Sequence, residues 1–275
     1  MNNGDHVHSV VNNILTSTRD RVQQLGSENI PLLIRTTRKR DLIASITSAR
    51  AKEHVPIIAE VKPASPGKAI RDLSPEMAAS IAEDMERAGA AAISVLTEPH
   101  FFHGSIENLK QVRKNTSIPV LRKDFIIDEL QMDEAESDMI LLIAGVLGKR
   151  LDHFVSLTRS KGFQPLVEVH NMDELTNALA TSAMIIGINN RNLSTLEIDL
   201  QTTEELIPFI REHDRINGCK HLVISESGVD TTDDVRRLMD AGADALLIGT
   251  TIMKEDDIYT RTKELVEALL QEDPR

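Results

Sequence analysis

Five short apolar runs in this chain end in residues that can move protons or hold anions. Ile57-Ile58-Ala59-Glu60-Val61-Lys62 sets a carboxylate and an ammonium two residues apart. In an extended strand both share a face with Ile58, while Ile57, Ala59 and Val61 face the other way. Val120-Leu121-Arg122-Lys123-Asp124 ends in three consecutive charges, and Leu166-Val167-Glu168-Val169-His170 holds a glutamate between valines. Ile188-Asn189-Asn190-Arg191-Asn192 and Ser225-Glu226-Ser227-Gly228 close on amide, cationic, acidic and small residues. A single charge at a strand end is ordinarily solvated surface. Five together ask for more, because carboxylates and lysines in apolar strands are expensive to desolvate unless they pair or face a cavity. One shared pocket accounts for all of them. Opposed Lys and Glu groups in such a pocket have the surroundings that shift pKa values toward acid–base catalysis.

The elements that must carry these residues form a repeat. From about residue 55, short apolar runs rich in β-branched residues alternate with longer amphipathic segments. The runs are 56–62, 91–97, 119–124, 139–143, 165–170, 184–189, 222–226 and 245–249. Their near-continuous hydrophobicity predicts parallel strands covered on both faces, and the segments between them are long enough for helical crossovers. Ser74-Pro75-Glu76 and Thr231-Thr232-Asp233-Asp234 are helix starts. The Gly89 and Gly242 stretches suit left-handed helix ends leading into the next strand. Eight such units predict an α/β chain folded as a closed (β/α)8 TIM barrel. An open doubly wound sheet is the competing architecture, but no glycine-rich dinucleotide fingerprint follows the first strand. Residues 1–54 stand outside the repeat. Stretches 10–25 and 41–53 read as helices packed on the barrel, so 1–275 is expected to be one domain, with 1–54 a helical extension and 55–275 the barrel.

A barrel of this kind keeps its chemistry at the C-terminal strand ends and often holds phosphate on the loops after strands seven and eight. Ser227 and Gly228 follow the seventh run, and Gly249 and Thr250 follow the eighth, where small residues let backbone N–H groups approach an anion. The histidines are scattered and lack HExxH spacing. His170 sits on the rim but reads as a surface or packing residue. No metal is expected. The single cysteine, Cys219, lies in the loop Asn217-Gly218-Cys219-Lys220 and reads as a plain structural thiol.

The formal net charge of -12 disfavours nucleic acid and anionic membrane as partners. An anionic substrate would need a positive pocket made from a few Lys, Arg and backbone N–H groups. The polar N-terminus lacks a leader-like apolar segment, and no stretch reaches the roughly 20 apolar residues of a membrane span. A reducing cytoplasm is the expected location.

Taken in order, the strand-end motifs resemble the indole-3-glycerol-phosphate synthase family. The matching stretches are Ile58-Ala59-Glu60-Val61-Lys62-Pro63-Ala64-Ser65-Pro66, Ile93-Ser94-Val95-Leu96-Thr97-Glu98 with Phe101-Phe102 and Gly104-Ser105, and Leu121-Arg122-Lys123-Asp124-Phe125. Leu141-Leu142-Ile143, Leu166-Val167-Glu168-Val169-His170, Gly187-Ile188-Asn189-Asn190-Arg191, Glu226-Ser227-Gly228 and Leu247-Ile248-Gly249 continue the match. Each motif alone is weak, whereas the ordered set is specific. The resemblance implies a cofactor-free, metal-free carboxy-lyase of tryptophan biosynthesis. Its substrate would be 1-(2-carboxyphenylamino)-1-deoxyribulose 5-phosphate, converted to indole-3-glycerol phosphate with loss of CO2 and water. It implies Lys123 as general acid, and Glu168 as base or acid in dehydration, assisted by Glu60 and Asn189. Lys62 would bind carboxylate or phosphate and take part in proton transfer. Ser65, Arg191 and Glu226 would position substrate or charged neighbours. Phe102, Phe125, Leu141, Leu193 and Leu247 would form the apolar wall, and Ser227, Gly228, Gly249 and Thr250 the phosphate site. A monomer is expected, with other enzymes of the pathway as the candidate protein partners.

Four departures stand out. Thr250 replaces a common Ser, Asn192 replaces an Asp that would affect how Arg191 is held, and Gly67 replaces a small polar residue. The stretch 134–138 lacks a Gly-Ala and looks about three residues short, which predicts a reduced helix before the fourth strand. The competing readings are another phosphate-binding barrel enzyme, such as phosphoribosylanthranilate isomerase, which would not need Glu60, Lys62, Lys123 and Glu168 together, and an inactive scaffold on the same fold.

Overall fold

Strand β1 (Ile57–Val61) is buried along its whole length, Glu60 included, as a strand covered on both faces must be. In this computed structural model, which describes residues 9–27, 33, 40–193 and 195–270, β1 is followed by a two-stranded hairpin, β2 (Ala64–Ser65) and β3 (Lys68–Ala69). Pro66 and Gly67 make its turn, and Gly67 has φ +76°, a value suited to glycine and to the third position of a type II turn. The smaller residue at 67 is thereby explained. The remaining strands are β4 (Ala92–Leu96), β5 (Val120–Lys123), β6 (Met139–Ile143), β7 (Gln164–Val169), β8 (Ile185–Asn189), β9 (Leu222–Glu226) and β10 (Ala245–Ile248). All except the hairpin pair in parallel, and β1 bonds both β4 and β10, so the ring closes. Closure rules out the open doubly wound sheet.

Strand parity divides the core in two. Ile57, Ala59, Val61, Ile93, Val95, Val120, Ile140 and Val167 face the helical layer, while Ile58, Leu121, Leu141, Leu166, Ile224 and Leu247 fill the barrel interior. The helices of the outer layer begin and end as their sequences prescribe. In α3 (Pro75–Arg87), Ser74 accepts a bond from the Met77 N–H with Pro75 in the first turn. In α9 (Thr232–Asp240), Thr231 and Asp234 form a reciprocal capping box. Gly89 and Gly242 adopt φ near +100° at the expected helix ends. Between β5 and β6 there is only a 3-10 helix, Glu129–Asp133, in line with the shortened 134–138 stretch. Here the fully buried Arg122 donates to the Gln131 carbonyl, to Asp124 at 3.1 Å and to Glu134 at 2.5 Å, so its guanidinium is satisfied without an α-helix.

The two described helices of the N-terminal extension pack on the barrel at its opposite ends. Helix α2 (Leu42–Arg50) plugs the N-terminal end: Leu42 and Ile46 join the interior apolar layer, Ser45 donates to the Ala91 carbonyl, and Arg50 pairs with Asp244. Helix α1 (Ser9–Ser27) lies across the opposite end, where its Arg21 donates to Asp124 at 2.8 Å. One segment thus closes the floor and the other covers the mouth. No helix among the described residues is long and apolar enough to cross a membrane.

Candidate active site

The inward positions of β1, β5, β7, β8 and β9 carry Glu60, Lys123, Glu168, Asn189 and Glu226, and Lys62 follows one step beyond β1. Lys123 Nζ donates to Glu226 Oε2 at 2.6 Å and to Glu168 Oε2 at 3.0 Å. Lys62 Nζ lies 3.4 Å from Glu60 Oε2, and the Ser94 hydroxyl donates to Glu60 Oε1 at 3.3 Å. Asn189 Oδ1 accepts the Arg191 N–H. Glu60, Lys62, Lys123, Glu168 and Asn189 line one cavity of about 160 Å³, together with Ser65, Phe102, Phe125, Leu141, Arg191, Leu193 and Ser227, whereas Glu226 stands behind Lys123 outside the lining. Five residues that were only far apart in sequence therefore converge at the C-terminal mouth.

Two glycines make the arrangement possible. A side chain at Gly187 would collide with Glu226 Oε1, and a Cβ at Gly249 would fall 2.5 Å from Glu60 Oε2. Gly249, read from sequence as a phosphate contact, also clears the space that Glu60 occupies.

Burial disfavours charge on each of these groups, and their neighbours decide the outcome. For Lys123 desolvation is outweighed by Glu168, Glu226 and Glu60, so the ammonium is held well above its ordinary pKa. Glu168 is buried too, but Lys123, His170 and Asn189 keep it ionised well below the usual carboxylate range. Glu226 goes the other way: desolvation, with repulsion from Glu168 and Glu60, exceeds the pull of Lys123 and lifts it to about 7. The two carboxylates on one ammonium are thus pushed apart, one held ionised in the resting site and the other able to take a proton near neutrality. Arg191 is lowered by burial, and among the described residues no carboxylate offsets that burial. Its Nη1 donates to the Leu196 carbonyl at 3.0 Å, and Asn192 Oδ1 caps the same turn through the Thr195 N–H. Asn192 therefore shapes the Arg191 loop through a turn rather than through charge.

The apolar wall contains more than its expected members. Phe102 and Phe125 stand 6.3 Å apart, and Lys62 Nζ lies 5.9 Å from the Phe102 ring centre. Leu247 belongs to the same interior apolar cluster as Leu141 and Phe125 but does not itself line the cavity. Val10, Val11 and Ile14 of α1 complete the wall from above. Their helix is legible in the sequence, but nothing local states which end of the barrel it covers. Glu98 also joins the lining and accepts the His100, Phe101 and Phe102 N–H groups, holding Phe102 in place. At the last two strand ends, Ser227 and Gly228 take φ +68° and +91°, and Gly249 precedes a short helix, α10 (Thr250–Met253). Thr251 Oγ1 ties the two loops together through Val229 O and Asp230 Oδ1. Gly228, Gly249 and Thr250 adjoin the cavity without lining it.

His170, read as a surface or packing residue on the rim, is packed between two carboxylates. Its Nε2 lies 3.2 Å from Glu168 Oε1 and its Nδ1 2.9 Å from Glu174 Oε2. Burial works against its charge, yet the two carboxylates raise it to about 9. A folded-state pKa raised from 6.5 to about 9 contributes stability that is complete below pH 6.5 and is lost as pH rises through 9. The contribution is about 3 kcal/mol at most. Wild-type protein should lose stability by denaturant unfolding between pH 6.5 and 9.5 more steeply than His170→Gln. Parallel pH profiles for the two would remove this role.

The comparisons with known proteins agree with this geometry. The family model described as indole-3-glycerol phosphate synthase matches residues 11–265. A protein named indole-3-glycerol phosphate synthase from Halobacterium salinarum is 40% identical over 268 residues, covering 98% of this chain and all of that protein. One of the same name from Aquifex aeolicus is 42% identical over 231 residues, covering 82% of this chain and 85% of its own length. A solved N-acetylmannosamine-6-phosphate 2-epimerase from Clostridium perfringens has a TM-score of 0.55 at 16% identity, covering 83% of this chain and 98% of that one, a likeness of fold alone. With a match over nearly its whole length, this chain belongs to the indole-3-glycerol phosphate synthase family.

Proposed function

We propose that this barrel performs the family's reaction with Lys123 as its central acid and Glu168 as its partner in dehydration. The family activity is that of a carboxy-lyase of tryptophan biosynthesis: 1-(2-carboxyphenylamino)-1-deoxyribulose 5-phosphate is closed to a ring and loses CO2 and water to give indole-3-glycerol phosphate. The observation that carries the assignment is the single ammonium of Lys123 between Glu168 and Glu226 at the floor of a mainly apolar cavity.

Ring closure needs a long, flexible substrate to fold so that its aryl ring meets the C2' ketone. Holding both ends reduces the entropic barrier of that step. Phe102, Phe125, Leu141 and Leu193 suit the aryl end, with Val11 and Ile14 of α1 as its roof. Arg191, Ser227 and the loops at Gly228, Gly249 and Thr250 suit the phosphate, since a cation lowered by burial gains most from an incoming anion. Lys62, between Glu60 and Phe102, is placed for the substrate carboxylate or phosphate.

As the ring attacks, negative charge develops on the ketone oxygen. An ammonium of raised pKa is a poor acid toward water, but beside this oxygen it supplies a full positive charge and a transferable proton just as the negative charge develops. Loss of CO2 from a water-poor pocket restores the aromatic ring. Dehydration then requires one proton delivered to the departing hydroxyl and another removed from the ring system. Glu168 takes part as base or acid, assisted by Glu60 and Asn189, with Lys123 and Glu226 as its proton-exchanging neighbours. We further propose that the chain is one domain and a monomer acting in the cytoplasm, alongside other enzymes of its pathway. The two halves of its extension, closing both ends of the barrel, support the single domain.

Purified protein without added cofactor should form the indole product from this substrate between pH 6 and 9. Arg191→Ala should raise KM about 10- to 100-fold and weaken inhibition by inorganic phosphate in step, with a smaller effect on kcat. No indole product from the wild type at any of these pH values would end the functional reading. Unchanged phosphate inhibition in the variant would end the placement of the phosphate.

A further inference from the structure

At the opposite end of the barrel, helix α8 (Gln201–Asn217) hands the chain to β9 through a turn that gathers four metal-ligating side chains. His213, Asp214, Cys219 and His221 each offer one donor atom, and these atoms all lie within 4.8 Å of one another. We propose that this cluster is a structural site for a borderline-soft divalent cation of the zinc class.

The local fold explains how nine consecutive residues meet. Gly218 ends α8 with φ +63°, and the Cys219 N–H donates back to the Asp214 carbonyl. That left-handed step turns Cys219 and His221 onto the last turn of the helix, against His213 and Asp214. The two oxygens of Asp214 divide their duties. Oδ2 accepts the His221 N–H at 2.8 Å and lies 3.9 Å from Arg211 Nη1. Oδ1 faces the other three donors, with Cys219 Sγ at 3.4 Å, His213 Nδ1 at 3.9 Å and His221 Nδ1 in direct hydrogen bond. His213 Nδ1 stands 4.0 Å from Cys219 Sγ.

These spacings suit ligands better than hydrogen-bond partners. His213 Nδ1 is too far from Asp214 for a bond and at the limit of one to the sulfur. Around a tetrahedral zinc with bonds of roughly 2.1 Å to nitrogen or oxygen and 2.3 Å to sulfur, neighbouring donors stand roughly 3.5 Å apart. Three of the separations above, 3.4, 3.9 and 4.0 Å, lie within about half an ångström of that value, and the His221–Asp214 pair would open as the ion enters. One thiolate, two imidazoles and one carboxylate select zinc-like ions over magnesium or calcium, and the two anionic ligands balance a divalent charge. His221 and Asp214 are buried, whereas His213 and Cys219 are half-exposed, which leaves an entry path. The hydrogen bond from the His221 N–H to Asp214 Oδ2 would help orient the carboxylate as an outer-sphere partner does. The site sits before the first residue of β9, a full strand away from Glu226, so it ties α8 to the barrel floor and leaves the chemistry alone.

The test uses the full chain, stripped with a chelator and titrated with Co2+ alone. A thiolate-to-cobalt absorption band in the near-ultraviolet and tetrahedral visible bands are expected, and Zn2+ should displace them. Cys219→Ser should abolish the near-ultraviolet band. His213→Ala, at a half-exposed position, keeps the fold and should weaken binding by more than about 10-fold. Zinc at 100 times its dissociation constant should raise Tm by about 5–10 °C without changing kcat. Absence of the cobalt bands, or bands and affinity unaltered in both variants, would overturn the proposal.

Discussion

Lys123→Ala is expected to lower kcat by about three to four orders of magnitude while the barrel stays folded. The size follows from two losses at one atom: the proton donor to the ketone oxygen, and the charge that steadies the developing alkoxide. The fold should survive because the charges left behind can relax. Without the ammonium, Glu168 and Glu226 face each other across the cavity, but Glu226 already sits near 7 and takes up a proton instead of repelling its neighbour. Removing one partner of a buried pair usually destabilises by about 3–5 kcal/mol, and proton uptake should keep the loss below that range at neutral pH. Circular dichroism and a denaturant midpoint would check the fold, and steady-state turnover the chemistry. Lys123→Arg separates the two losses: a guanidinium keeps the charge but does not release a proton, so its kcat should remain close to that of the alanine variant. Turnover within a few-fold of wild type in Lys123→Ala would refute the acid assignment.

Glu168→Gln should cost about 10²–10⁴ in kcat, and it should fail at a different step. The amide oxygen still accepts from Lys123, so the cavity keeps its shape, but the carboxylate assigned to proton exchange in dehydration is gone, and Glu226 is left on the far side of Lys123. Release of CO2 should then run ahead of indole formation in a single turnover, whereas in Lys123→Ala both should slow together. Simultaneous slowing of the two signals in Glu168→Gln would remove Glu168 from the later step. The two residues share a hydrogen bond, so the double variant should lose far less than the product of the single losses.

Much of this site is legible before any coordinates. A strand has a period of two, so Glu60 and Lys62 must share the face of Ile58, and the same parity turns Lys123, Glu168, Asn189 and Glu226 inward once the apolar positions between them face the helices. Local chemistry also foretells the caps at Ser74 and Thr231, the glycine helix ends and the weak crossover after β5. The carboxylate partners of His170 are not legible, because they are Glu168, two residues back on the strand, and Glu174, four residues ahead on the next helix, and neither spacing marks an ion pair. Leu247 shares the inward parity of the wall residues, but parity alone does not say which inward side chains reach the cavity surface.

What the sequence determined by itself is the face each residue presents, the parallel alternation of strands and helices, and the pool of groups available for catalysis. Only the closed barrel decided which of them meet. Lys123 pairs with Glu168 and Glu226 while Glu60 takes Lys62, Gly187 and Gly249 stand where carboxylates need room, and α1 roofs the mouth while α2 plugs the floor. The reason is one of range: periodicity and capping act over a few residues, whereas distances across the ring are set by strand number, tilt and stagger, which no single segment contains.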